Sequence, residues 1–181
     1  MTLFKNIYRI ETTRLQHWDY SSDGEYFVTI CTKNRKEYFG EIRNGIMGLN
    51  EMGCIVNKFW VNTLNHFDNI ELGEYVIMPN HIHGIIIIQH PVETIHESSL
   101  RVMDIKQRRK MLIPKIIGRF KMQSAKYINL LINNVGKPIW QQNYYDHIIR
   151  SDRDYYNICE YIQNNPRKWE QDRNNAENLW M

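Results

Sequence analysis

At 181 residues, 43% hydrophobic and 24% charged, the chain is sized for one globular domain with one core. No apolar run reaches membrane-spanning length, and Met1 to Ile10 lacks the apolar stretch of an export signal, so a cytoplasmic protein with no membrane partner is expected. The 3 cysteines, Cys31, Cys54 and Cys159, are scattered and odd in number, which excludes a full disulfide framework and argues against a zinc cluster.

In chain order, residues 5–24 mix charge and aromatics and end in Ser21-Ser22-Asp23-Gly24, an irregular arm leading into a turn. Tyr26 to Thr32 is β-branched and aromatic and predicts a strand. Gly40, Gly45 and Gly48 between Tyr38 and Leu49 suggest a small irregular hairpin. Asn50 has the character of an N-cap, and Ile55, Val56, Phe59, Trp60 and Leu64 recur at helical spacing, so a helix is expected over about 50–65. Ile70 to Met78 and His81 to Gln89 read as two strands separated only by Pro79-Asn80, and hence as antiparallel neighbours.

Pro91 to Arg101 is polar and reads as a loop. Ile116, Ile117, Phe120, Ala125, Ile128 and Leu131 mark a helix over about 113–132, ended by Asn133 to Pro138. Ile139 to Ile149 is expected as a fourth, irregular strand. Ser151 or Asp152 caps a last helix that stops before Pro166, followed by a polar tail from Arg167 to Met181. The order strand, helix, strand, strand, helix, strand is the split β-α-β of a ferredoxin-like α+β sandwich, here with an added C-terminal helix. One domain over 1–181 is expected, with an arm at 1–24 and a tail at 167–181.

Two patterns carry chemistry. His81 and His83 flank Ile82 on one strand, so their side chains share a face, where two imidazoles can chelate one cation. The plainer alternative is two histidines hydrogen-bonding on a sheet face. Two ligands are too few for a tight site, and the last helix offers Asn157, Tyr161 and Asn165 at four-residue intervals along one face. A tyrosine there could serve as a nucleophile and an amide as an oxygen ligand; equally, Tyr161 could be a core aromatic and Asn165 a helix C-cap. Asn80, Tyr144, Tyr145, Asp146 and His147 are weaker candidates, fitting turn, packing or substrate-contact roles. The net charge of +3 is small but uneven: Lys106, Arg108, Arg109, Lys110, Lys115, Arg119 and Lys121 cluster with Asp104 as the only nearby acid, either a solvated helix face or a polyanion contact.

The combination of Met78-Pro79-Asn80-His81-Ile82-His83-Gly84, the segment Trp140 to Arg150, and Tyr161-Ile162-Gln163-Asn164-Asn165-Pro166 resembles the REP-associated tyrosine transposases, within the single-tyrosine HUH transposase and endonuclease superfamily. The resemblance covers about residues 8–169. It implies a ferredoxin-like fold and cleavage of single-stranded DNA near hairpins through a 5′-phosphotyrosine. By the same resemblance Tyr161 matches the nucleophile, His81 and His83 the metal-binding pair, and Asn165 the third, amide-type ligand, with Mg²⁺ or Mn²⁺ as the ion. Single-stranded DNA hairpins are the expected partner, and either a monomer or a homodimer fits. A non-catalytic nucleic-acid-binding module on this fold and a nuclease using water as nucleophile are the alternatives.

Overall fold

The computed structural model describes residues 18–90, 110–172 and 174–175. Its elements are β1 (Gly24–Cys31), a hairpin of β2 (Gly40–Arg43) and β3 (Ile46–Leu49), α1 (Glu51–Val61), β4 (Ile70–Met78), β5 (His81–Ile88), α2 (Leu112–Leu131), β6 (Tyr145–Ile149) and α3 (Asp152–Asn164). Short 3-10 segments follow α1 and α3, at Asn62–His66 and Pro166–Gln171.

The main sheet has the order β4-β5-β1-β6, antiparallel throughout, as a split β-α-β sandwich requires. Asn50 does cap α1, its Oδ1 accepting from Gly53 N at 3.0 Å, and Ser151 Oγ accepts from Asp154 N at 3.2 Å to start α3. The fourth strand is shorter than expected. Only Thr32 and Trp140 bridge before Tyr145, because the loop between them is held from outside the sheet: the Lys121 ammonium donates to the carbonyls of Gln141 and Asn143 at 3.0 and 2.9 Å.

Strand alternation separates two cores. Tyr26, Val28 and Ile30 of β1 and Ile82, Ile86 and Ile88 of β5 point to one face, where they pack with Trp60, Ile113, Ile116, Ile117 and Phe120. Gly84 shares that face, and a Cβ there would come within 2.4 Å of the Trp60 ring, so the strand is bare where the indole crosses it. The opposite face carries Phe27, Ile85 and Ile149, covered by Ile162 with Ile158 and Cys159 of α3. The histidines belong to this second face. The arm before residue 18 and the loop at 91–101 lie outside the described residues. The polar tail departs from expectation: residues 166–171 coil back, and Asp172, Asn174 and Asn175 are buried.

Candidate functional site

The site starts from register. Thr29 on β1 lies opposite His83 on β5, and Cys31 opposite His81. Both histidines are fully buried, and their imidazoles turn edge to face, with Nε2 atoms 3.0 Å apart. Each ring is fixed from behind. The Asn80 amide nitrogen donates to the carbonyls of Arg35 and Asn174, so its oxygen is the atom that meets His81 Nδ1 at 2.8 Å, and His81 carries its proton on Nδ1. Asn80 thus orients a histidine, one of the roles the sequence left open. His83 Nδ1 is 2.8 Å from the Thr29 hydroxyl, which can accept from it or donate to it. Nothing in the sequence marked Thr29, whose role depends on strand register.

From the other side comes α3. The Tyr161 hydroxyl is 3.2 Å from His83 Nε2, its ring is edge-on to Phe27 and packed against His83, and the residue remains 39% exposed. That is a poor match to a core aromatic. Asn165 is the C-cap of α3, as the plainer reading had it, and it is also in the site: its amide nitrogen donates to Asp172 Oδ2 at 3.0 Å. The Asn165 Oδ1 is buried and has no hydrogen-bond partner among the described residues. Asn157, one turn before Tyr161, stays exposed and away from the group, because successive four-residue steps drift around a helix of 3.6 residues per turn.

Asp172 was not visible in the sequence as a site residue. The tail brings it under Tyr161, with Oδ2 at 3.5 Å from the phenol oxygen and Oδ1 accepting from Asn174 N at 2.5 Å. His81, His83 and Asp172 each offer a ligand atom, and these lie within 4.8 Å of one another. Trp169 of the same tail packs its ring 6.0 Å from that of His81.

These residues fit a divalent cation on their own chemistry. Two adjacent coordination positions of an octahedral ion with bonds of about 2.1 Å are about 3.0 Å apart, which is the Nε2–Nε2 spacing here. The Nδ1 contacts leave the two Nε2 atoms facing each other, the arrangement that outer partners impose on metal-binding histidines, and Asn165, which donates to Asp172, keeps a buried amide oxygen with no hydrogen-bond partner among the described residues. Next to the group opens a cleft of about 620 Å³, lined by Phe27, Tyr145, His147, Tyr161, Asn165, Lys168, Gln171 and Asp172. His147 is held by Asp154 at 2.9 Å, and Tyr145 meets Phe27 edge-on. Asp146 is buried within β6, and Tyr144 packs against the main core.

The basic cluster is placed differently. Lys106, Arg108 and Arg109 lie outside the described residues. Lys110 and Lys115 are exposed, Arg119 donates to His66 Nε2 at 2.9 Å, and Lys121 is committed to the loop before β6, with its ammonium 5.5 Å above the Tyr144 ring. The α2 helix that bears Lys115, Arg119 and Lys121 packs on the sheet face opposite the histidines. Lys168 lines the cleft beside the site.

No family model matches the chain. It is 41% identical over 170 residues to an uncharacterised protein of Haemophilus influenzae, covering 92% of this chain and 93% of that one. It is 28% identical over 151 residues to another Haemophilus influenzae protein, assigned to the REP-associated tyrosine transposases, covering 83% of this chain and 74% of the relative. Among solved structures, a REP-associated tyrosine transposase bound to a REP hairpin superposes with a TM-score of 0.55 at 20% identity, over 88% of this chain and 74% of that one. Among the described residues no helix is long and apolar enough to cross a membrane.

Proposed function

We propose that the chain is a REP-associated tyrosine transposase that cuts and rejoins single-stranded DNA beside hairpins, with Tyr161 as nucleophile and a divalent cation, Mg²⁺ or Mn²⁺, held by His81, His83 and Asn165. The observation that carries this reading is the Tyr161 hydroxyl 3.2 Å from His83 Nε2, on a residue that is 39% exposed and lines the cleft.

In this reaction the Tyr161 oxygen forms a bond to phosphorus as the bond from phosphorus to the 3′ oxygen breaks. The 3′ oxygen leaves with a proton as a free hydroxyl, and the 5′ end stays on the enzyme. Attack by a 3′-hydroxyl on the phosphotyrosine runs the same exchange backwards, so rejoining needs no nucleotide hydrolysis. With His83 Nε2 directed at the cation, the acceptor in reach of the phenol proton is Asp172 Oδ2 at 3.5 Å. Ring packing against Phe27 and His83 fixes the direction from which the phenol approaches. When bound, a divalent cation supplies charge neutralisation at the phosphate. The exposed Tyr145 offers aromatic surface to unpaired bases and Lys168 a charge to the backbone.

The test is incubation with a panel of single-stranded hairpin oligonucleotides and Mn²⁺, read on a denaturing gel. The wild type is expected to give a covalent protein–DNA band and a free 3′ end, and Tyr161→Phe neither. A covalent band retained by Tyr161→Phe rules out the nucleophile, while products with two free ends and no band point to water as the nucleophile.

A further inference from the structure

We propose that Asp172 is the anionic ligand of the cation site, so that the site is completed from the tail, and that cation binding and docking of the tail at residues 166–172 and 174–175 form one linked equilibrium. The inference rests on the metal reading of His81 and His83 given above.

The first argument is proximity. Asp172 reaches the histidines from a segment distant in sequence, all three residues are buried, and their ligand atoms lie within 4.8 Å of one another. The second is charge. Two neutral imidazoles and an amide oxygen provide no anion, whereas Mg²⁺ and Mn²⁺ favour carboxylate oxygen. The Asn165 amide at 3.0 Å, the Asn174 N–H at 2.5 Å and, more distantly, the Tyr161 phenol at 3.5 Å all donate to Asp172 and fix its carboxylate beside the histidines. The third is the direction of the Asn165 amide. It turns its nitrogen to Asp172 Oδ2, which makes it the residue that orients the carboxylate and leaves its own oxygen as a further donor to the ion.

The linkage follows from how the tail is held. Asn80 grips both parts of the site, its oxygen on His81 Nδ1 at 2.8 Å and its nitrogen on the Asn174 carbonyl at 2.9 Å. Arg35 donates to the Asn174 side chain, and Trp169 lies against His81. A ligand that binds only when Asp172 is docked must stabilise the docked tail, and an undocked tail must weaken ligand binding by the same factor.

The experiment compares the full chain with Asp172→Asn, which keeps the shape, and Asn165→Ala. Mn²⁺ affinity is read from the electron paramagnetic resonance of free Mn²⁺. Tail docking is read from trypsin cleavage after the exposed Arg167 and Lys168, followed by mass spectrometry with and without Mn²⁺. Thermal unfolding in EDTA checks that each variant is folded. The expected result is Mn²⁺ binding by the wild type, at least about tenfold weaker binding by Asp172→Asn, and Mn²⁺ protection of the Arg167–Lys168 region in the wild type only. Equal Mn²⁺ affinity and equal protection in Asp172→Asn overturn the proposal. If, in addition, Asn165→Ala loses the ion, the helix amide is the third ligand and the metal reading stands. A wild type that binds no Mn²⁺ removes the metal reading and this inference together.

Discussion

Replacing Thr29 by Val tests the link between strand register and site chemistry. The two side chains have nearly the same shape, so packing in the buried strand is retained and only the hydroxyl is lost. That hydroxyl sits 2.8 Å from Nδ1 of the buried His83, across the β1–β5 pair. It is suited to both states of the ring. It can accept when Nδ1 carries the proton and Nε2 is directed at a ligand, and donate when Nε2 carries it. Valine does neither, and a buried polar atom deprived of its partner costs about 1–3 kcal/mol. For a chain of this size each kcal/mol is worth about 2–4 °C in melting temperature, so a fall of about 2–12 °C in EDTA is expected. Losing an outer partner of a metal-binding histidine weakens metal affinity about 10–100-fold, so Thr29→Val is expected to bind Mn²⁺ that much less well, whereas Thr29→Ser keeps the hydroxyl and stays near the wild type. Differential scanning fluorimetry in EDTA and Mn²⁺ titration give the two numbers. A Thr29→Val protein that matches the wild type in both refutes the role assigned to this hydrogen bond.

Gly84→Ala inserts a methyl group 2.4 Å from the ring of the fully buried Trp60, which Phe120 blocks edge-on at 5.3 Å; overpacking of this kind costs about 1–3 kcal/mol, and urea denaturation is expected to show a lower midpoint that Trp60→Leu partly restores. No restoration in the double variant means that the indole is not the obstacle. Burial, reinforced by the nearby carboxylates of Asp19, Asp23 and Asp146 and only partly offset by the Trp18 hydrogen bond, pushes the Tyr26 phenol up to about 12. The folded protein therefore keeps this proton where the unfolded chain, with its phenol near 10, has lost it. The contribution of Tyr26 is complete below pH 10 and disappears as the pH rises to about 12, at most about 3 kcal/mol. Tyr26→Phe is expected to flatten the loss of stability over that window; parallel curves for the two proteins exclude Tyr26 as its source.

The fold was legible because it is written in local patterns. Alternation put Tyr26, Val28 and Ile30 on one face of β1, Asn50 announced α1, and Pro79-Asn80 could only join neighbouring antiparallel strands. The shared face of His81 and His83 followed from the same period of two. What was not legible depends on pairing between distant segments. Thr29 matters through its register with His83, and Asp172 through a tail whose composition reads as solvent-exposed. Lys121 looked like part of a basic patch, yet its charge is spent on the carbonyls of a loop twenty residues away, an arrangement that charge counting does not reveal.

The two faces of the sheet also divide stability from chemistry. The face under α1 and α2 holds the large aromatic and aliphatic core, including Trp60, Phe120 and Trp140. The face under α3 is covered through a small apolar cluster in which Ile162 is the one fully buried residue of the helix, with Ile158 and Cys159 half-buried beside it. Local opening free energy scales with the apolar contacts that must be broken, so α3 can shift against the sheet at a small fraction of the cost of global unfolding. Tyr161 rides on that helix, while His81 and His83 are fixed in a central strand paired on both sides. The nucleophile is thus on the movable partner and the histidines on the rigid one. The Tyr161–His83 contact joins the two directly, and the Asn165–Asp172 and Asn80–Asn174 hydrogen bonds join them through the tail. Hydrogen exchange is accordingly expected to be faster in α3 than in β5, and slower in α3 when Mn²⁺ is present; uniform protection across both elements contradicts this division.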